Sequence, residues 1–124
     1  MLNLNSIMIG THQAKVLGEF YEKVFDKKPD MTEEDKWYGF LVGSTFLNIG
    51  AHSDISGPSK EPARMMLNLE TSDVKAEFER IKATGATVVK EPYTMPEWPD
   101  GWIATFADPD GNYFQLMSPW EGNK

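Results

Sequence analysis

The stretch FADPDGNYFQLMSP, residues 106–119, decides how this chain is read. An apolar run stops at Asp108, Pro109 and Gly111 punctuate the next few residues, and Tyr113 to Met117 resumes the run with an amide, Gln115, at its centre. Asp-Pro-Asp-Gly suits a type I turn closed by a glycine bulge, so the segment reads as two strands joined by a five-residue reversal. That register sets Asn112 opposite Asp108 and Gln115 opposite Thr105, with Ile103, Tyr113 and Met117 on the same side. A plain four-residue turn would shift the pairing and bring Trp102, Ala104 and Phe106 there instead.

Working backwards from this hairpin, Glu91 to Asp100 reads as a proline-rich loop and Ala86 to Lys90 as a strand. A helix precedes them, carrying Val74, Phe78 and Ile81 at helical spacing, capped by Ser72 or Asp73 and ended by Gly85. Arg64 to Glu70 reads as the strand that opens this half. The same order occurs earlier in the chain. Residues 2–10 are strand-like, and Leu17, Phe20, Tyr21 and Val24 mark a helix over His12 to Asp26. Met31 to Asp35 reads as a polar connection, and Trp37–Val42 and Thr45–Gly50 form a hairpin about Gly43-Ser44. Residues 53–62, with Gly57, two prolines and three serines, read as a linker. One domain over 1–124 is therefore expected, with module one at 1–52, the linker at 53–62 and module two at 63–124.

The halves also match residue by residue. Gly18-Glu19-Phe20 parallels Ala76-Glu77-Phe78, and Phe46-Leu47-Asn48-Ile49 parallels Tyr113-Phe114-Gln115-Leu116. Because strand side chains alternate faces, Leu47, Ile49, Phe114 and Leu116 are expected under the helices and Asn48 and Gln115 on the opposite faces. Two half-sized modules, each unable to bury its sheet alone, gain a core by joining.

Composition narrows the function classes. The 124 residues carry 12 basic and 19 acidic side chains, a net charge of −7, and no cysteine. Disulfides, thiolate nucleophiles and cysteine-based metal sites are thereby excluded, and the balance suits a reducing cytoplasm. Nucleic acid is disfavoured because phosphate binding needs a basic stripe, whereas a cationic small ligand is favoured by the field. The N-terminal MLNLNSIMIG has no basic region and breaks its apolar run at Asn3, Asn5 and Ser6, so it makes a poor signal peptide. No run approaches the roughly 20 apolar residues of a membrane span.

With the doubled order in hand, Gly18-Glu19-Phe20-Tyr21, Gly85-Ala86 and above all Asp108-Pro109-Asp110-Gly111-Asn112 resemble the vicinal oxygen chelate superfamily, which includes glyoxalases, bleomycin-resistance proteins and extradiol dioxygenases. The resemblance implies an α+β fold of two βαβββ modules whose mixed sheets curve around a cleft, often completed by a second subunit, hence a homodimer. In metal-using members, two residues per module, usually His, Glu or Gln, hold a divalent ion. The corresponding positions here are Ser6, Asn48, Met66 and Gln115. A hydroxyl, two amides and a thioether offer neither a carboxylate nor an imidazole, so no metal cofactor is expected.

The cleft is then expected to be lined by Ser6, Met8, Trp37, Phe46, Asn48, Met66, Asn68, Ile103, Thr105, Tyr113, Gln115 and Met117, a mostly apolar set with neutral hydrogen-bonding groups of the kind that holds small organic ligands. The segment Tyr93 to Trp102 is expected to fold over it as a lid, with Trp98 and Trp102 adding aromatic faces. The leading expectation is thus a metal-free binding protein for an aromatic or cationic molecule. Its rival is an enzyme of the same superfamily, a lyase, isomerase or dioxygenase, which would use displaced ligands to Fe, Mn, Ni or Zn, or a metal-free general base, with His52, His12 or Glu70 as weak candidates. A third reading has the cleft filled by the protein's own side chains.

Overall fold

The computed structural model describes residues 1–120; the last four residues of the expected module two lie outside them. The chain divides into two units, Met1–Pro58 and Ser59–Lys124, and the division falls inside the expected linker. Unit one runs β1 (Ser6–Thr11), α1 (Ala14–Phe25), β2 (Met31–Glu33), β3 (Trp37–Val42) and β4 (Thr45–Ala51). Unit two runs β5 (Leu67–Glu70), α2 (Val74–Ala83), β6 (Thr87–Met95), β7 (Trp98–Ala107) and β8 (Tyr113–Met117). Each is βαβββ, and each makes a four-stranded mixed sheet, in the orders β1-β4-β3-β2 and β5-β8-β7-β6. The first and last strands of each unit pair in parallel and the rest antiparallel.

In unit one the helix covers one sheet face. Leu17, Tyr21 and Val24 of α1 are buried, as are Tyr38, Phe40, Leu47 and Ile49 of the sheet. Phe25 stacks on Tyr21 and meets Phe40 edge-on. In unit two Val74, Phe78 and Ile81 of α2 are buried, as are Ala104, Phe106, Phe114 and Leu116, with Phe106 between Phe78 and Phe114. Asp73 caps α2 by accepting from Ala76 N at 3.1 Å, and Gly85 follows the helix at φ +94°, where only glycine sits without strain.

Two stretches expected to be loops are strands. Met31–Glu33 is the edge strand β2, and its pairing rests on a partner far along the chain. Asp30 N donates to Gly39 O at 2.8 Å, while the Asp30 carboxylate accepts from Leu41 N at 2.7 Å and Lys27 Nζ at 2.8 Å. Those bonds, with the Leu41 amide foremost, hold the Asp30 carboxyl below its usual range. The reversal into β3 places Glu34 and Asp35 at φ +48° and +57°, the backbone of a primed hairpin turn, without a glycine. Asp35 is held in place there by Tyr38, whose hydroxyl donates to it at 2.7 Å.

The second corrected stretch is the proline-rich loop at 91–100, which is a hairpin, with Met95 paired to Trp98. Pro92 is accommodated because β6 is an edge strand and a register shift falls between Lys90 and Tyr93. Pro99 lies in the part of β7 that extends beyond its pairing with β8.

Burial, and then the bond to Asp35, push the Tyr38 hydroxyl up to about 12. The native state thus keeps a proton that the unfolded chain, with the ordinary value near 10, releases. This contribution is whole below about pH 10 and disappears as pH rises towards about 12. Urea midpoints between pH 8 and 12 should therefore fall more steeply for the wild type than for Tyr38→Phe; equal slopes would show that this hydroxyl has no part in alkaline unfolding.

Candidate functional site

The face of each sheet that its helix leaves uncovered collects the expected site residues. In unit one the pairings Ser6 with Phe46, Met8 with Asn48, Gly39 with Asn48 and Trp37 with Gly50 put Ser6, Met8, Trp37, Phe46 and Asn48 on that face. The aromatic rings lie down on the sheet. A Cβ on Gly39 would meet the Phe46 ring at 2.7 Å, and one on Gly50 would meet Trp37 and Met8 at 3.0 and 3.1 Å. Large rings laid over glycines cover much of this face with its own side chains. Met8, Met31 and Leu41 remain exposed around them.

His52 closes one end, its Cβ 3.2 Å from where a Cβ on Gly10 would be. Its Nδ1 accepts from Asp54 N at 3.1 Å, so that nitrogen is committed to the turn after β4. His12 is exposed just beyond β1. Glu70 belongs to unit two, so the three candidate catalytic residues do not form one cluster within either unit.

In unit two the five-residue turn carries the hairpin. Asp108 N donates to Asn112 O and Gly111 N to Asp108 O, both at 2.8 Å, and Gly111 sits at φ +81°. The resulting register puts Thr105 opposite Gln115 and Ile103 opposite Met117, with Asn68 beside Gln115 and Glu70 beside Met117 on β5. Ile103, Thr105, Tyr113, Gln115, Met117 and Asn68 therefore share one face. Gln115 Nε2 donates to Thr105 Oγ1 at 3.2 Å, and the Gln115 carbonyl has no partner among the described residues.

Tyr93, paired with Ile103, joins this face, with Lys90 Nζ 5.3 Å from its ring centre. The sequence places Tyr93 only in a lid, because three prolines hide the strand alternation that fixes its direction. Beside Tyr113 an open cavity of about 620 Å³ is bounded by Glu61, Pro62, Ala63 and Arg64. Met66 lies immediately before β5, outside the ladder, and is 38% exposed.

The two tryptophans expected in a lid go elsewhere. Trp98 stands at the tip of the β6–β7 hairpin with its ring against Gly101. Trp102 alternates with Ile103 and so lies on the helix side of the sheet, where Lys75 Nζ of α2 is 3.8 Å from its ring centre.

The residues do not suit the divalent metal that the fold family uses. Ser6 and Asn48 in unit one and Met66 and Gln115 in unit two supply no anionic or imidazole donor. Among the described residues, no three His, Asp or Glu side chains are grouped so as to hold an ion. No helix among them is long and apolar enough to cross a membrane.

Known proteins share this architecture. A glyoxalase-related enzyme from Fulvimarina pelagi superposes with a TM-score of 0.77 at 17% identity, covering 96% of this chain and 89% of the other. A glyoxalase/bleomycin resistance protein/dioxygenase family enzyme from Burkholderia phytofirmans gives 0.75 at 22%, covering 94% and 98%. The fosfomycin resistance protein FosX from Mesorhizobium loti gives 0.74 at 17%, covering 99% and 97%. No curated protein matches the sequence. At these identities the structural likeness shows the fold alone. The model of the glyoxalase-like domain matches residues 6–117, nearly the whole chain, and the protein belongs to that family.

Proposed function

We propose that the open face of unit two binds a small, largely apolar organic molecule, without a metal, and that Gln115 reads its polar group. The observation that carries this is the Gln115–Thr105 pair. One side of the amide is anchored at 3.2 Å, which fixes the rotamer and leaves the carbonyl as an oriented acceptor. Around it Ile103 and Thr105 are buried, Met117 and Tyr93 are half-buried, and none of the four carries a charge. Apolar walls around a few fixed polar groups are the usual make-up of a small-molecule site, and the cavity at Tyr113 is within the size range of such sites.

A thermal-shift screen against hydroxylated quinones and aromatic amides tests the reading, since a ligand of the native state raises its apparent stability. The compound that stabilises the wild type should bind roughly ten-fold more weakly to Gln115→Leu, about the cost of one hydrogen bond in a dry site. Equal binding to both proteins would remove Gln115 from the site. Stoichiometric Fe, Mn, Ni or Zn in protein purified without chelator would overturn the metal-free reading.

One observation favours a catalytic alternative. Glu70 stands on the same face beside Met117 and is exposed, so its carboxylate is placed to act as a base towards a molecule held by Gln115. In that case Glu70→Gln abolishes turnover of the bound compound while leaving its thermal shift intact.

A further inference from the structure

The helix side of unit two holds a groove that the family comparison does not account for. Lys75, Phe78 and Glu79 project from α2 at the i, i+3 and i+4 positions that share one helix face. Opposite them stand Glu91, Pro92 and Trp102, and the six residues enclose about 370 Å³. Glu91 and Pro92 are the two residues of β6 that face the single Ala104 of β7 between the pairs Lys90–Thr105 and Tyr93–Ile103. Such a bulge re-aims the side chains it carries.

The groove is built from an apolar floor and charged rims. Phe78 is buried, and Trp102 and Pro92 are half-buried. Glu79 and Glu91 are exposed, and neither side chain has an ion pair or hydrogen bond among the described residues. Lys75 makes no ion pair with them either. Its ammonium instead rests 3.8 Å from the centre of the Trp102 ring. A cation on an indole face is attracted by the ring quadrupole, most strongly when partly desolvated.

We propose that this groove is a second ligand site, specific for small organic ammonium ions, with Lys75 acting as its built-in competitor. The Lys75 ammonium marks where a guest cation binds. Its four-carbon stem lets it swing out to solvent, and a guest that replaces it gains the same ring face. Glu79 and Glu91 supply two negative charges at the rim against the single positive charge of Lys75, and the chain's net charge of −7 adds to the attraction. Methylated ammonium ions suit the groove better than primary ones, because they are weakly hydrated and their methyl groups pack on Phe78 and Pro92.

The test uses choline as probe and its uncharged isostere 3,3-dimethylbutan-1-ol as control, read through the Trp102 indole N–H resonance. Choline should shift that resonance saturably, and the alcohol should not. Lys75→Ala should tighten choline binding by about five-fold, the effect of deleting an internal cation–π competitor. Glu79→Gln combined with Glu91→Gln should weaken it by a similar factor, and Trp102→Leu, followed by calorimetry because the indole probe is gone, should abolish it. Gln115→Leu should change nothing, which separates this groove from the open face that Gln115 serves. The proposal is overturned if Lys75→Ala weakens choline binding or leaves it unchanged, or if the alcohol shifts the indole as choline does. Because Lys75, Glu79 and Glu91 are all exposed, their variants keep the fold even if Trp102→Leu does not.

Discussion

Replacing Asp108 by alanine should lower the stability of the protein by about 3 kcal/mol, among the largest single-residue effects expected in unit two. The Asp108 side chain is buried, 5% exposed, inside the turn that it organises. Oδ1 accepts from Asp110 N and Asn112 N, both at 2.9 Å, and Oδ2 accepts from Asn112 Nδ2 at 3.0 Å. Alanine removes the acceptor and leaves these donors without it in a site closed to bulk water. Each orphaned donor costs roughly 1–3 kcal/mol, and bonds to a charged acceptor stand at the upper end of the scale. In a domain of this size the loss corresponds to a melting temperature lower by roughly 10 °C.

The consequence extends beyond the turn. Asp110 O accepts from Ser59 N at 2.8 Å, so the same reversal ties down the chain where unit two begins. The five-residue turn also sets the register that puts Gln115 opposite Thr105. A slip by one residue would turn Gln115 towards α2 and bring an apolar side chain to the open face. Asp108→Asn, which keeps one acceptor oxygen, should cost about half as much. A chemical denaturation midpoint for Asp108→Ala within about 0.5 kcal/mol of wild type would mean the turn is held by its backbone bonds alone.

The legible parts of the structure are those with local causes. The Asp-Pro-Asp-Gly-Asn turn declares its own length, so the partner of Gln115 can be read from the sequence, and Gly43-Ser44 does the same for Asn48 and Gly39. The doubled strand–helix–hairpin order is equally visible, since each helix carries its apolar stripe and α2 its Asp73 cap. The parts that escape have causes far along the chain. β2 looks polar because it is an exposed edge strand, and it exists through the bonds between Asp30 and residues 39 and 41.

The β6–β7 hairpin is hidden by Pro92, Pro96 and Pro99, residues that usually argue against a strand. They are tolerated here at an edge, in a turn and beyond the last paired strand. The direction of Trp102 is legible without that hairpin: the five-residue turn sends Ile103 to the open face, alternation then sends Trp102 to the helix, and a place for Trp102 in a lid goes against that register.

Gly18→Ala separates two effects of opposite sign, and the geometry of α1 decides between them. Propensity alone predicts a gain, because alanine in a helix interior is favoured over glycine by about 1 kcal/mol. Gly18, however, is buried against the ring of Tyr38, and a Cβ there would lie 2.5, 2.6 and 2.7 Å from three of its carbons. No real Cβ contact is that short, so either the ring or the helix must move. The ring is held by β3 behind it and by its hydroxyl bond to Asp35 at 2.7 Å, in a turn whose two central residues already have positive φ. The helix would have to lift instead, and lifting it opens the packing of Leu17, Tyr21 and Val24 on the sheet. Overpacking of this kind costs up to about 3 kcal/mol, which leaves a net loss of about 2 kcal/mol after the propensity gain. In the Tyr38→Ala background the obstruction is gone, and Gly18→Ala should then stabilise the protein relative to Tyr38→Ala alone, an inversion of sign that a double-mutant cycle in urea resolves easily. If Gly18→Ala already stabilises the wild type, the close seating of α1 on Tyr38 is wrong, and the helix packing of unit one must be drawn differently.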